Sequence, residues 1–219
     1  MCQHNINKFV YYIIYYCLAS AAVIIVIPPL IKYDNAWRYT FITETAKIVF
    51  LVVPSLLYLK LFEKVDVLSF IKLKTNHKTG IAWGIAIGLL WVCVNMAANI
   101  LSKNKLANYN LRIDQWIGGI LLVGFTEEIT YRGVILQKLS SYAAFWKANM
   151  ITAAMFAVLH IQVWFHLKYY PPLVLFLILL SLFCSGIAYG YLMKKTDSLW
   201  PCIILHSVYN FTTLVVRYA

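Results

Sequence analysis

Apolar residues in this chain gather into seven long runs, roughly 9–31, 41–62, 81–101, 116–136, 146–166, 172–193 and 198–217. Each is close to the ~20 residues that a helix needs to cross a bilayer. Pro28-Pro29 and Pro54 interrupt the first two runs. The pattern predicts an all-α, polytopic bundle of about seven transmembrane helices in a single domain, 1–219. The most polar stretch, 63–80, reads as a loop between two N-terminal spans and five later ones.

Small residues refine the picture. Gly80, Gly84 and Gly88 recur on one face of the third run, as do Gly186 and Gly190 in the sixth. This spacing lets helix backbones approach closely in lipid, so these glycines read as packing positions. Asn95 and Asn99 share a face and read as hydrogen-bonding glue to a neighbouring helix. Asp197-Ser198 reads as the N-cap of the last helix, with Pro201 in its first turn, where a missing N–H does no harm.

Composition agrees with a membrane protein. Of 219 residues, 62% are hydrophobic and 12% charged, where a soluble domain carries about a quarter charged residues. The net charge of +11 would point to nucleic acid in a soluble protein. Here most Lys and Arg fall in short loops that face lipid headgroups, so the expected partner is the bilayer and not nucleic acid. Loop Lys and Arg number nine on the N-terminal side against seven opposite, which favours a cytoplasmic N-terminus in a multi-pass protein of the cell membrane. Ala19-Ser20-Ala21 mimics a signal cleavage site, but the apolar run continues to Ile27, as suits a retained first span. The five cysteines are scattered and read as small hydrophobes, without a disulfide framework or zinc knuckle.

Three polar clusters break the apolar runs: Glu127-Glu128-x-x-x-Arg132, Phe156-x-x-x-His160 and His206-x-x-x-Asn210. Ionisable groups at membrane depth cost roughly 2.5–3.5 kcal/mol each on insertion scales, and they mark function by default. Residues four apart share a helix face, so Glu128 and Arg132 are set to pair, with Glu127 about 100° round the helix and unpartnered. At about 1.5 Å per residue, Glu127, His206 and Asn210 lie near the middle of their runs and His160 about one turn away. Three helices can therefore bring these groups to one level. Glu44 and Lys47, near the start of the second run, read as residues that snorkel to the headgroups.

Peptide hydrolysis needs an activated water, donors for the oxyanion and a proton for the leaving amine. A carboxylate with an imidazole can polarise the water, and a second imidazole with an amide can hold the oxyanion. Other intramembrane protease signatures are missing from the sequence. No His is followed by Glu, Ser185-Gly186 lacks the preceding glycine of a Gly-x-Ser-Gly motif, and no Gly-x-Gly-Asp occurs.

The three clusters, in this order on separate apolar runs, resemble the motifs of the membrane family of CAAX proteases and bacteriocin-processing enzymes, the CPBP family. The resemblance covers roughly 116–217, with no departure at its six polar positions. It implies an intramembrane endopeptidase acting on a peptide or lipid-modified protein. Glu127 and His160 would activate water, His206 and Asn210 would form the oxyanion site, and Glu128 and Arg132 would support them. Glu127, His160 and His206 also make a plausible zinc set. The reading favours a metal-free site, because Asn210 and Arg132 already supply polar stabilisation. Within the family, a short chain without an extra domain is more similar to the bacterial branch, which matures secreted peptides or confers immunity to them, than to CAAX-type C-terminal processing. The rival readings are a non-catalytic immunity or regulatory binding protein on the same fold, and an ion or proton transporter.

Overall fold

A backbone in lipid has to satisfy its own N–H and C=O groups, so each apolar run folds as a helix. The structure, a computed structural model, describes residues 2–26, 36–101, 111–167 and 171–217. Among these there are eight helices and no strand. They are α1 (2–26), α2 (36–63), α3 (Val67–Phe70), α4 (His77–Leu101), α5 (115–140), α6 (Phe145–Leu167), α7 (Pro172–Thr196) and α8 (Trp200–Arg217). The end of the first run, with Pro28-Pro29, lies outside the described residues. The stretch expected to be a loop holds the short helix α3.

Seven of the helices follow the seven runs, and four of them (α1, α2, α4 and α7) are long and apolar enough to cross a membrane by length and composition. In α5 the charged cluster itself dilutes the apolar character, and α6 is an apolar helix over Phe145–Ile161. The result is a helical membrane bundle.

α5 is the axis of that bundle. Every residue from Thr130 to Leu136 is buried, which is possible only for a helix enclosed on all sides. Val134, Ile135 and Tyr131 of α5 share one core with Phe9, Tyr12 and Tyr16 of α1, Tyr58 of α2, and Phe156 and Leu159 of α6. Two polar contacts tie α1 into this core: Tyr12 hydroxyl to Ser55 Oγ at 2.7 Å, and Tyr16 O–H donating to Thr130 Oγ1 at 3.2 Å.

The glycine rows do what their spacing implies. A Cβ at Gly84 would sit 3.0 Å from Ile204 Cβ and 3.1 Å from Pro201 Cα, so α4 and α8 lie nearly backbone to backbone. Gly186 does the same between α7 and Ala153 of α6. Asn95 differs from its expected role, since its amide donates to Trp91 O one turn back on its own helix.

The start of α8 also differs from expectation. Asp197 adopts a left-handed conformation (φ 51°) and ends α7, its N–H donating to Met193 O. Ser198 Oγ is buried without a hydrogen-bond partner, so neither residue caps α8 through its side chain. The α8 start is fixed from the α3–α4 turn instead. Leu199 N–H donates to Lys72 O at 3.0 Å, Trp200 Nε1–H to Leu73 O at 3.0 Å, and Lys72 Nζ lies 2.7 Å from Asp197 Oδ1. A cap motif in sequence names residues able to cap, and here the Asp197 carboxylate is taken by Lys72 while Ser198 Oγ is left without a partner. Pro201 does lie in the first turn of α8.

Replacing Gly84 by Leu is expected to force α4 off α8 and to destabilise the bundle by about 1–3 kcal/mol. A lower thermal unfolding midpoint in detergent checks this. An unchanged midpoint would mean that the two helices are not held at this contact.

Candidate active site

Two successive glutamates on α5 face different surroundings. Glu128 is wholly buried, and its Oε1 accepts a 2.8 Å bond from Arg132 Nη1, the same-helix pair that the spacing predicts. The same oxygen accepts His206 Nδ1–H from α8, also at 2.8 Å. α8 reaches this position because α5 carries Gly124 one turn earlier, where a Cβ would meet Ser207 Oγ and lie 3.1 Å from Ile203 O. Arg132 is enclosed by rings: its guanidinium carbon is 4.6 Å from the centroid of Phe156, 5.5 Å from Tyr189 and 5.9 Å from Tyr131. Arg132 Nη2 has no hydrogen-bond acceptor, and these ring faces are its electron-rich neighbours.

Glu127 is turned towards the other two helices. Its Oε2 lies 3.7 Å from His160 Nε2 and 3.8 Å from His206 Nε2, and it has no hydrogen-bond partner of its own. Both imidazoles are oriented from their far side. His160 Nδ1–H donates to Phe156 O at 2.7 Å, and His206 Nδ1–H donates to Glu128. A carbonyl and an ionised carboxylate only accept, so both rings present Nε2 to one carboxylate oxygen. Separations near 3.7 Å are too long for direct hydrogen bonds and suit a bridging water.

A cavity of about 70 Å³ opens beside this oxygen, lined by Glu127 and His160 together with Tyr16, Thr130 and Lys47. Glu127 and His160 keep 19% and 21% of their side chains exposed, whereas Glu128 has none. One glutamate of the pair is therefore reachable and the other is sealed. Asn210 sits one turn beyond His206 on α8, where its Nδ2–H donates to Gly119 O at 3.1 Å. The fold thus brings Glu127, His160 and His206 together, with Asn210 anchored on the neighbouring turn.

Sequence reasoning missed Tyr16, Thr130 and Lys47 among these cavity residues. Tyr16 stands in a tyrosine-rich run in which no pattern separates one ring from the next. Lys47 carried a usable signal, a lysine inside an apolar run. The snorkelling expected of it and Glu44 does not occur: Glu44 is buried, its Oε1 lies 2.8 Å from Lys47 Nζ, and Lys47 turns to the cavity.

The fit to a metal is incomplete. Ligand atoms on a tetrahedral zinc at about 2.0–2.1 Å lie about 3.3 Å apart. The separations of 3.7 and 3.8 Å from Glu127 Oε2 are wider, and no three His, Cys, Asp or Glu side chains among the described residues form a metal set.

Arg132→Ala is expected to leave Glu128 charged in the core without its guanidinium and with only His206 as a partner, a loss of roughly 3–5 kcal/mol. Recovery of monodisperse protein in detergent should fall sharply. The Glu128→Gln/Arg132→Met double variant should fold better than the single one. If the single variant folds as wild type does, the junction is not what holds α5 and α8.

The type II CAAX prenyl endopeptidase Rce1-like family matches residues 110–212, a range that contains all three polar clusters. Nothing matches among curated proteins or among solved structures. The Rce1-like family is a protease family within the CPBP group, and over residues 110–212, just under half of the chain, the sequence is similar to it.

Proposed function

We propose that the chain is an intramembrane endopeptidase of the cell membrane that uses Glu127 and His160 to activate water. The observation that carries this reading is the single oxygen Glu127 Oε2, buried, unpartnered and faced by two imidazole nitrogens beside a small cavity. A buried acceptor left in this state costs stability, and such groups concentrate where chemistry needs them.

In the proposed reaction a water gives one proton to Glu127 as its oxygen attacks the peptide carbonyl. His160 accepts a hydrogen bond from the water's other O–H at Nε2, which is free to accept while the ring's proton is on Nδ1 and donated to Phe156 O. His206 and Asn210 are the proposed oxyanion donors. With Nδ1–H held by Glu128, His206 donates from Nε2 when that nitrogen also carries a proton. Asn210 has two N–H groups, of which Gly119 O takes one; the other is the proposed donor. As the C–N bond breaks, Glu127 passes its proton to the leaving nitrogen. The new carboxylic acid then ionises, and Glu127 is a carboxylate again.

The substrate is a membrane-associated peptide or lipid-modified protein. CAAX-type C-terminal processing and bacteriocin- or pheromone-type peptide maturation, including self-immunity, are the two classes within this reading. No metal is assigned. Were zinc bound, Glu127, His160 and His206 would hold it, and it would supply an acidified water.

Glu127→Gln is expected to lower cleavage by at least about 10²–10⁴-fold with insertion intact, since an amide cannot take the proton. Comparing membrane and secreted peptides from cells carrying wild type or Glu127→Gln would reveal the substrate, and indistinguishable peptide sets would refute the assignment.

Asn210→Ala should cost about 10²–10³ in turnover, the range for loss of one oxyanion donor. Turnover should survive exhaustive chelation. About one zinc per purified chain, with activity that follows it, would replace the metal-free mechanism by a metal-dependent one.

A further inference from the structure

Between α2 and α5 lies a second charge pair, a buried Glu44 with a half-buried Lys47, that the reaction above leaves unused. Glu44 and Lys47, one turn apart on α2, are joined at 2.8 Å, and Glu44 Oε2 is buried without a hydrogen-bond partner. α2 approaches α5 closely at Gly118, where a Cβ would lie 3.5 Å from Glu44 Cγ. The Lys47 side chain forms part of the wall of the cavity that holds Glu127 and His160.

The charges around the site explain why a lysine is there. Arg132 is committed to Glu128 and enclosed by aromatic rings, which closes that pair. Glu127 stands next to it with two imidazoles beyond hydrogen-bond distance. Among the residues lining the cavity, Lys47 alone is a lysine or arginine, and it shares that wall with Glu127. In a low-dielectric interior the attraction between opposite charges is felt well beyond contact range.

We propose that Lys47 is a positioning residue of the site: held by Glu44, its ammonium is the countercharge for the Glu127 carboxylate. The role rests on the reading of Glu127 as the base. A purely structural pair would behave differently, because replacing both partners of a buried ion pair by neutral groups of similar volume is often harmless. The countercharge role makes the same double replacement harmful to Glu127 even when the fold is kept.

The test compares Lys47→Met, Lys47→Arg and the Glu44→Gln/Lys47→Met double variant in detergent, each with a measured unfolding midpoint. The first readout is infrared difference spectroscopy at neutral pH, which follows the carboxylate stretch of Glu127, identified as the band absent from Glu127→Gln. That band should persist in wild type and Lys47→Arg. It should fall by at least half in the double variant, which keeps the formal charge balance and a near-normal midpoint. The second readout is kcat and KM on a quenched peptide library. A tenfold or greater loss of kcat is expected in the double variant, with KM within twofold and most activity retained by Lys47→Arg.

An unchanged Glu127 band in the folded double variant overturns the proposal, whatever happens to turnover. A lost band combined with equal, negligible cleavage by wild type and Glu127→Gln leaves the countercharge standing and overturns the peptidase reading.

Discussion

The bundle is organised around one oxygen, Oε1 of Glu128. It accepts from Arg132 on its own helix and from His206 on α8, both at 2.8 Å and both away from water. An ion pair sealed in this way is weak as a source of stability, because desolvation offsets the Coulomb attraction. Its value lies in fixing geometry. With Nδ1 held, the His206 ring cannot rotate, and its Nε2 stays aimed at Glu127.

The helices had to come unusually close for that junction to form. Gly124 lets α8 lie against α5, and Gly186 leaves room for Arg132, since a Cβ there would come within 3.2 Å of Arg132 Nη2. Lipid supplies no hydrophobic drive between helices, so small residues and buried polar bonds carry the association. Phe156 serves both sides of the site: its ring covers the guanidinium of Arg132, its carbonyl orients His160, and its edge meets the His206 ring. That explains why an aromatic residue stands one turn before the histidine.

Adjacent glutamates on one helix thus end in opposite conditions. Each keeps one oxygen without a hydrogen bond, but Glu128 Oε1 has two partners and its side chain no exposure, whereas Glu127 stays partly exposed with two imidazoles beyond hydrogen-bond distance. A carboxylate used as a base has to be reachable and underemployed, while the residue that positions its neighbours has to be neither. The roughly 100° between successive helix positions produces this difference from two identical side chains.

The sequence by itself determined the helical class, the boundaries of the last five runs to within a few residues, and the Glu128–Arg132 pair. These depend on local period alone: about 20 apolar residues for a span and four residues for a shared face. It also identified Glu127, His160 and His206 as groups that need company in lipid. Tertiary structure decided which partner each one found. Asp197 became the end of α7 and not the cap of α8, Asn95 bonded within its own helix, and Asn210 went to Gly119 O. Lys47 turned inward because α2 packs on α5 at Gly118, a contact between residues about seventy positions apart that no local pattern records. Helix periodicity fixes which face a side chain occupies, but the identity of the facing helix comes only from how the whole bundle packs.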